Sequence, residues 1–207
     1  MLKILGKRRS INVHKVLWTC DELGLAYDHD DWAPDFQPAD SPQLLALNPN
    51  GLAPVLVDEH GPLWESNTIC RYLAHRQGDG TLLPSAARGR AQVEQWMDWQ
   101  ATELNSSWRY AFMALARQAP GFADPGQIAA STAAWNRAMS ILDHQLRATG
   151  AYVTGEHFTL ADVVLGLSTH RWAATPIVHA DLPAVRAYYD RLSARDAFPP
   201  HARPDLP

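Results

Sequence analysis

The apolar positions of the first third of the chain follow two spacings, one for strands and one for helices. Leu2 to Leu5 is a short apolar run that reads as a first strand. Residues 12–24 then repeat apolar side chains every three or four positions: Val13, Val16, Leu17, Cys20 and Leu23 share one helical face, and Gly24 stands where a C-cap belongs. Residues 27–32 read as a second strand. Val55, Leu56 and Val57 form a β-branched run, residues 58–61 have the length of a hairpin turn, and Leu63-Trp64 opens the returning strand. In residues 67–76 the period is helical again, with Ile69, Tyr72 and Leu73 on one face.

The order is therefore β-α-β followed by β-β-α. The first unit demands a right-handed parallel crossover and the second an antiparallel hairpin, so the sheet is mixed, which fits a thioredoxin-like fold. The long connection at 33–46 carries Pro34, Pro38 and Pro42, and Ser41-Pro42 is placed to cap a single helical turn. Gly78, Gly80 and Pro84 break the pattern, and no strand-like run follows. We expect a domain at 1–77, a linker at 78–84 and an all-helical domain at 85–207, giving an α+β chain.

Four helices are expected in the second part. The first covers about residues 86–118, with Val93, Trp96, Met97, Leu104, Trp108, Phe112 and Leu115; if continuous, it would reach on the order of 50 Å at about 1.5 Å per residue. The others cover about 125–149, 160–172 and 184–194, and the proline-rich tail after Phe198 reads as an extended surface segment. Thr159 and Asp162 are spaced as N-cap and N3 of the third, with Phe158 and Val163 placed for a hydrophobic staple. That arrangement is structural, a device that starts a helix.

Composition narrows the chemistry. The chain has 207 residues, 46% of them hydrophobic, enough for a sizeable core. A net charge of -4 and no dense Lys/Arg stripe argue against a nucleic-acid partner. No apolar run is long enough for a membrane span, and the first ten residues lack a secretion signal's apolar core, so a cytoplasmic protein is expected. Cys20 and Cys70 are far apart and read as buried filler. The nine histidines form no H-x-x-H or H-x-x-x-H pair, so no metal is expected, and neither a nucleotide fingerprint nor a G-x-S-x-G elbow is present.

The chemistry concentrates at 48–66. Asn48-Pro49-Asn50-Gly51 combines a φ-fixing proline with residues that tolerate positive φ, and reads as a tight turn. Pro54 donates no ladder hydrogen bond and belongs at a strand entrance or edge. If its peptide bond is cis, the N–H and C=O of Ala53 turn sideways and offer a small peptide a backbone to pair with. The Ser66 hydroxyl suits an N-cap, neighbouring free N–H groups would attract a carboxylate, and Glu65 would attract an ammonium. One dipeptide could thus hold an amino acid's zwitterionic head.

The pattern Asn-Pro-x-Gly-x-x-Pro-Val-Leu followed by Glu-Ser-x-x-Ile-x-x-Tyr-Leu resembles the glutathione-binding half of the cytosolic glutathione transferase superfamily. The stretch 155–162 resembles the capping-box motif in the helical half of the same proteins, so the likeness spans both parts. It implies that Ala53, beside Pro54, pairs through its backbone with the cysteinyl part of glutathione, and that Glu65 and Ser66 hold its γ-glutamyl end. It also implies a homodimer that uses glutathione as co-substrate and adds its thiolate to small hydrophobic electrophiles.

Such an enzyme must keep the glutathione thiol ionised. Lowering a thiol pKa of about 8.5 by two units asks for roughly 2.7 kcal/mol, the size of one charge-assisted hydrogen bond plus a helix N-terminus. Ser10, just ahead of the first helix, is the natural donor. In the serine-using, theta-like branches the catalytic serine lies six residues before a helix valine, and Ser10 and Val16 repeat that spacing. The cysteine that beta-like members use there is missing. Asn12 is the competing donor, or else an N-cap.

Two positions depart from the family pattern. Ala39 and Leu52 stand where a His and a Lys or Gln often reach the glycine carboxylate, leaving Arg8, Arg9 or Gln37 as substitutes. The run from Trp96 to Ser106 resembles the beta-like Trp-x-Asn-x-x-Ala-x-Glu-x-His-Lys. By that likeness Asp98 makes a cross-subunit contact to glutathione, and Asn105, Trp108, Arg109 and Phe112 border the electrophile pocket. Trp96 and Trp99 are read as core or interface. The competing readings are a non-catalytic binder of glutathione or hydrophobes, another glutathione-dependent reaction on the same scaffold, and a protein-binding module.

Overall fold

The computed structural model describes residues 1–31, 41–78 and 80–202. Four strands, β1 (Leu2–Leu5), β2 (Tyr27–Asp30), β3 (Val55–Asp58) and β4 (Gly61–Trp64), form one sheet in the order β2-β1-β3-β4. β1 runs parallel to β2 and antiparallel to β3, and β3 and β4 make the hairpin, as the β-α-β and β-β-α patterns require. Helices α1 (Ile11–Glu22) and α3 (Ser66–Gln77) pack side by side. The short α2 (Pro42–Leu47) is the expected capped turn: Ser41 Oγ accepts from Leu44 N–H at 3.3 Å. β2 ends at Asp30, earlier than expected, while Trp32, Pro34, Gln37, Pro38 and Ala39 lie outside the described residues.

The chain after α3 is helical. α6 (Pro125–Thr149), α7 (Leu160–Ala174) and α8 (Pro183–Ser193) follow the expected positions within two residues at either end. The long helix expected at 86–118 forms over 87–115, with one change of period inside it. α4 (Ala87–Trp99) passes into a π-helical turn at Gln100–Leu104 before α5 (Asn105–Leu115). Gln100 is fully buried there, and its side chain meets Lys15 Nζ (2.7 Å), Asn105 Oδ1 (2.9 Å) and Ser168 Oγ (3.1 Å). The wider turn coincides with a buried polar side chain whose partners lie on other helices, a setting in which π-turns recur. Among the described residues no helix is long and apolar enough to cross a membrane.

One core joins both parts. Every residue of α7 from Leu160 to Trp172 is buried, as expected of a helix packed on all sides. Trp18 of α1 packs in tilted contact with Phe158 and Phe198, and a Cβ at Gly166 would come within 2.7 Å of Leu192 and 3.1 Å of Trp18, so glycine is what lets α7 approach α1 and α8 this closely. Cys20 and Cys70 are both buried, and burial pushes the Cys70 thiol up to about 11 and the Cys20 thiol higher, away from thiolate chemistry.

Candidate functional site

The hairpin register assembles the first part of the site. Val55 pairs with Trp64 and Leu56 with Leu63, so the residues just before β3 and just after β4 meet at its open end. The Ala53–Pro54 peptide bond is cis. The turn before it is held by Asn48, whose Nδ2 donates to Leu52 O at 2.7 Å and whose Oδ1 accepts from Asn50 N–H at 3.0 Å. A cleft of about 60 Å³ results, lined by Asn12, Asn48, Leu52, Ala53, Pro54, Glu65 and Ser66. Gly6 closes the approach: its φ is +148, and an added Cβ would lie 2.5 Å from Val13 Cγ2 and 3.0 Å from Ala53 Cβ.

The structure corrects one reading of this dipeptide. Ser66 is the first residue of α3 and not its N-cap; Glu65 holds the cap position, with φ 71 and ψ 111 and no capping side-chain bond. A non-glycine residue held at such an angle costs on the order of 1–3 kcal/mol, and such residues cluster where a ligand is gripped. The exposed Glu65 carboxylate and the first-turn N–H groups of the twelve-residue α3 border the same cleft. Together they offer one acceptor for an ammonium and several donors for a carboxylate.

Behind this dipeptide lies a residue that periodicity passed over. Lys15 is 1% exposed; its Nζ donates to Gln100 Oε1 at 2.7 Å and stands 3.4 Å from Asn67 Oδ1, while Asn67 Nδ2 donates to Met97 O at 2.9 Å. Burial pulls the Lys15 ammonium down to about 8. The lysine therefore ties the first turn of α3 to the π-turn. Positions 13–20 of α1 are buried without a break, so no single apolar face singles Lys15 out.

Ser10 is the N-cap residue of α1, with φ -93 and ψ 120, and its hydroxyl makes no capping hydrogen bond. Asn12 is inside the helix, so the N-cap alternative for it does not hold. Beside them opens a larger cavity of about 460 Å³, lined by Lys7, Arg9, Ser10, Ile11, Asn12, Arg117 and Arg171. Asn12 borders both spaces, whereas Ser10 lines the larger cavity and not the small cleft.

The loop carrying Ser10 is braced by two histidines. His14 Nε2 lies 2.5 Å from the Arg8 carbonyl, so it donates; His14 Nδ1 and His201 Nδ1 share a hydrogen bond of 2.9 Å, and His201 Nε2 lies 2.6 Å from Asp21 Oδ2. Burial pulls His14 from 6.5 down to about 4, which keeps it neutral near pH 7. Between those values the unfolded chain binds a proton that the native state does not, so His14's contribution is present above 6.5 and lost as pH falls toward 4. Urea denaturation across pH should show the stability of wild type minus that of His14→Gln rising by about 3 kcal/mol from the acid to the neutral end of this window. A difference that stays flat would remove the histidine from this role.

The remaining expected residues scatter. Trp108 and Phe112 do not line the cavity; they lie against Arg171, whose guanidinium carbon is 4.7 Å and 4.3 Å from their ring centroids. Asn105 accepts from Gln100, and Arg109 is exposed. Asp98 pairs with Arg71, which also reaches Glu94 at 3.5 Å, on the outer face of α3 and α4. Trp96 and Trp99 meet edge to face at 5.2 Å. Arg8 faces Asp31, and Leu52 is 60% exposed at the cleft. The cations Arg117 and Arg171 had no local signal, being single arginines in helical patterns.

The capping box at α7 stands as expected. Asp162 Oδ2 accepts from Thr159 N–H at 2.8 Å and from Thr159 Oγ1 at 3.1 Å. Its Oδ1 accepts from Val153 N–H at 2.9 Å and Tyr188 OH at 3.1 Å.

Known proteins resemble the chain over most of its length. The family profile described as "Glutathione S-transferase, N-terminal domain" matches residues 1–75, and "Glutathione S-transferase, C-terminal domain" matches residues 125–191. Glutathione S-transferase GstB of Escherichia coli K12 is 33% identical over 199 residues, 95% of either chain. The crystal structure of a theta class glutathione S-transferase from Xanthomonas axonopodis pv. citri with glutathione bound superposes with a TM-score of 0.88 at 36% identity, over 95% of this chain and 94% of that one. A glutathione S-transferase from Pseudomonas fluorescens Pf-5 gives 0.85 at 29% identity, over 97% and 98%. A probable elongation factor 1-gamma 2 of Arabidopsis thaliana is 36% identical over 124 residues, 60% of this chain and 29% of that protein.

Proposed function

The chain belongs to the glutathione S-transferase family, and from that premise we propose that it is an enzyme that binds glutathione in the small cleft and transfers it to an electrophile held in the neighbouring cavity. The observation that carries this reading is the meeting of Ala53-Pro54 and Glu65-Ser66 at one end of the hairpin, bordered by the N-terminal turn of α1. Ala53 pairs with the peptide's backbone through its own N–H and C=O. Glu65 takes the ammonium of the γ-glutamyl end, and Ser66 with the first N–H groups of α3 takes its carboxylate. Ser10 then donates to the sulfur, and the N-terminus of α1 adds a favourable field for the thiolate. Residues 1–77 hold the peptide and residues 85–207 complete the electrophile's space.

The working unit is a cytoplasmic homodimer engaged in detoxification. The face of α3 and α4 that carries Arg71, Glu94, Asp98 and the two tryptophans supports this pairing, with Asp98 as a cross-subunit contact. A second reading, a protein-binding module without turnover, draws on the likeness to elongation factor 1-gamma.

Calorimetry with glutathione on wild type and Glu65→Ala, followed by turnover of a chlorodinitrobenzene electrophile, separates the two. Binding weakened on the order of tenfold to a hundredfold in the variant, with turnover in wild type, is the expected result, since a charged hydrogen-bond partner contributes about 1.5–3 kcal/mol. Wild type that neither binds nor turns over would favour the module.

A further inference from the structure

The cavity beside Ser10 has an unusual lining for a chain of net charge -4: Lys7, Arg9, Arg117 and Arg171 all border it, and among the described residues no carboxylate does. Resting on the transferase reading above, we propose that the electrophile taken here carries an anionic group, a carboxylate in the first instance, which these cations hold while the glutathione sulfur reacts elsewhere on the molecule.

Arg171 of α7 and Arg117, just past the end of α5, are held in place before any ligand arrives. Arg171 is 5% exposed, and its guanidinium lies over the rings of Trp108 and Phe112 at 4.7 Å and 4.3 Å. Arg117 lies 5.3 Å from the Phe112 centroid, and its Nη2 donates to the Arg9 carbonyl at 3.2 Å. Little side-chain freedom is therefore left to lose on binding. The aromatic faces satisfy the flat sides of a guanidinium, and its planar fork matches the two oxygens of a carboxylate.

The cations also repel one another. Burial pulls Arg171 down to about 9, and Arg117 adds to that fall; Arg117 itself is lowered by burial and then by Arg9. A bound anion reverses the sign of this interaction at the three arginines. A neutral electrophile of the same shape does not. In the reaction, the thiolate sulfur forms a bond to the electrophilic carbon, and the leaving group departs from that carbon with its bonding electron pair. The carboxylate neither gains nor loses a proton, so the anion contact is kept through the step.

Two matched pairs of compounds test this. 4-Chloro-3,5-dinitrobenzoate and 4-chloro-3,5-dinitrobenzamide present the same reacting carbon with and without the charge; chloride leaves in both. 3,5-Dinitrobenzoate and 3,5-dinitrobenzamide lack the leaving group, so calorimetry reads their binding without turnover. We expect the acid to exceed the amide at least tenfold in kcat/KM and in affinity, the preference to shrink as salt is raised, and the ratio to fall toward one in Arg117→Gln. Lys7→Gln, at an exposed position, repeats the test if Arg117→Gln does not fold. Equal handling of acid and amide by wild type overturns the proposal, as does an Arg117→Gln loss that is the same for both. A preference in binding with no turnover of either chloro compound would keep the anion site and reject the transferase reading on which it was placed.

Discussion

Asp162→Ala lowers the unfolding free energy by about 3–5 kcal/mol in chemical denaturation, the largest single effect expected away from the site. The carboxylate is fully buried and accepts from two backbone N–H groups and two hydroxyls. Alanine leaves the Val153 and Thr159 N–H groups buried with their acceptor gone, at about 1–3 kcal/mol each, and removes the start signal of a helix that touches α1, α4 and α8. The pH dependence has a definite sign. Burial pushes Asp162 up to about 6 against the pull of its four donors, so the contribution of its proton is present below the unfolded value near 4 and is lost as pH rises through about 6. The substitution should therefore cost more at pH 5 than at pH 7.5. A loss under about 1 kcal/mol at both would mean that other groups cap α7.

Ser10→Ala should lower kcat by about 10²–10³-fold with a smaller change in glutathione affinity, the magnitude seen when one donor to a developing or resident anion is removed. The serine hydroxyl caps nothing in the helix it precedes, and it borders the cavity next to the cleft that Glu65 and Ser66 line. The diagnostic readout is the titration of bound glutathione by the ultraviolet absorbance of its thiolate. In the alanine variant that titration should move up toward the value of a free thiol, about 8.5. Unchanged kcat with an unchanged titration would dismiss Ser10, and a larger loss in Asn12→Ala would pass the role to the amide.

Much of the fold was legible because its signals are local. The hairpin, the turn at Asn48–Gly51 and the capping box each need only a few consecutive residues of the right type, and each forms where its residues stand. Glu65 and Ser66 were legible as a pair, though their cap geometry was not: the strained φ at Glu65 is imposed by β4 entering α3 directly, which no propensity describes. The π-turn inside the helix expected at 86–118 was not legible for a related reason. Gln100 looks like an ordinary surface residue in sequence, and only its burial against Lys15 and Ser168 marks the turn where the period widens.

The sequence by itself determined the mixed sheet followed by helices, the proline entrance to β3 and the dipeptide after β4, because strand period, turn chemistry and capping act over a few residues. Only the tertiary structure decided what surrounds them. Lys15 and Arg171 sit in helices buried on all sides, where no apolar stripe indicates which direction faces the site. Arg117 reaches the carbonyl of Arg9 across 108 positions, and His201 reaches Asp21 across 180. Contacts at such separations are set by how helices pack, and the charge of the cavity beside Ser10 is a product of that packing.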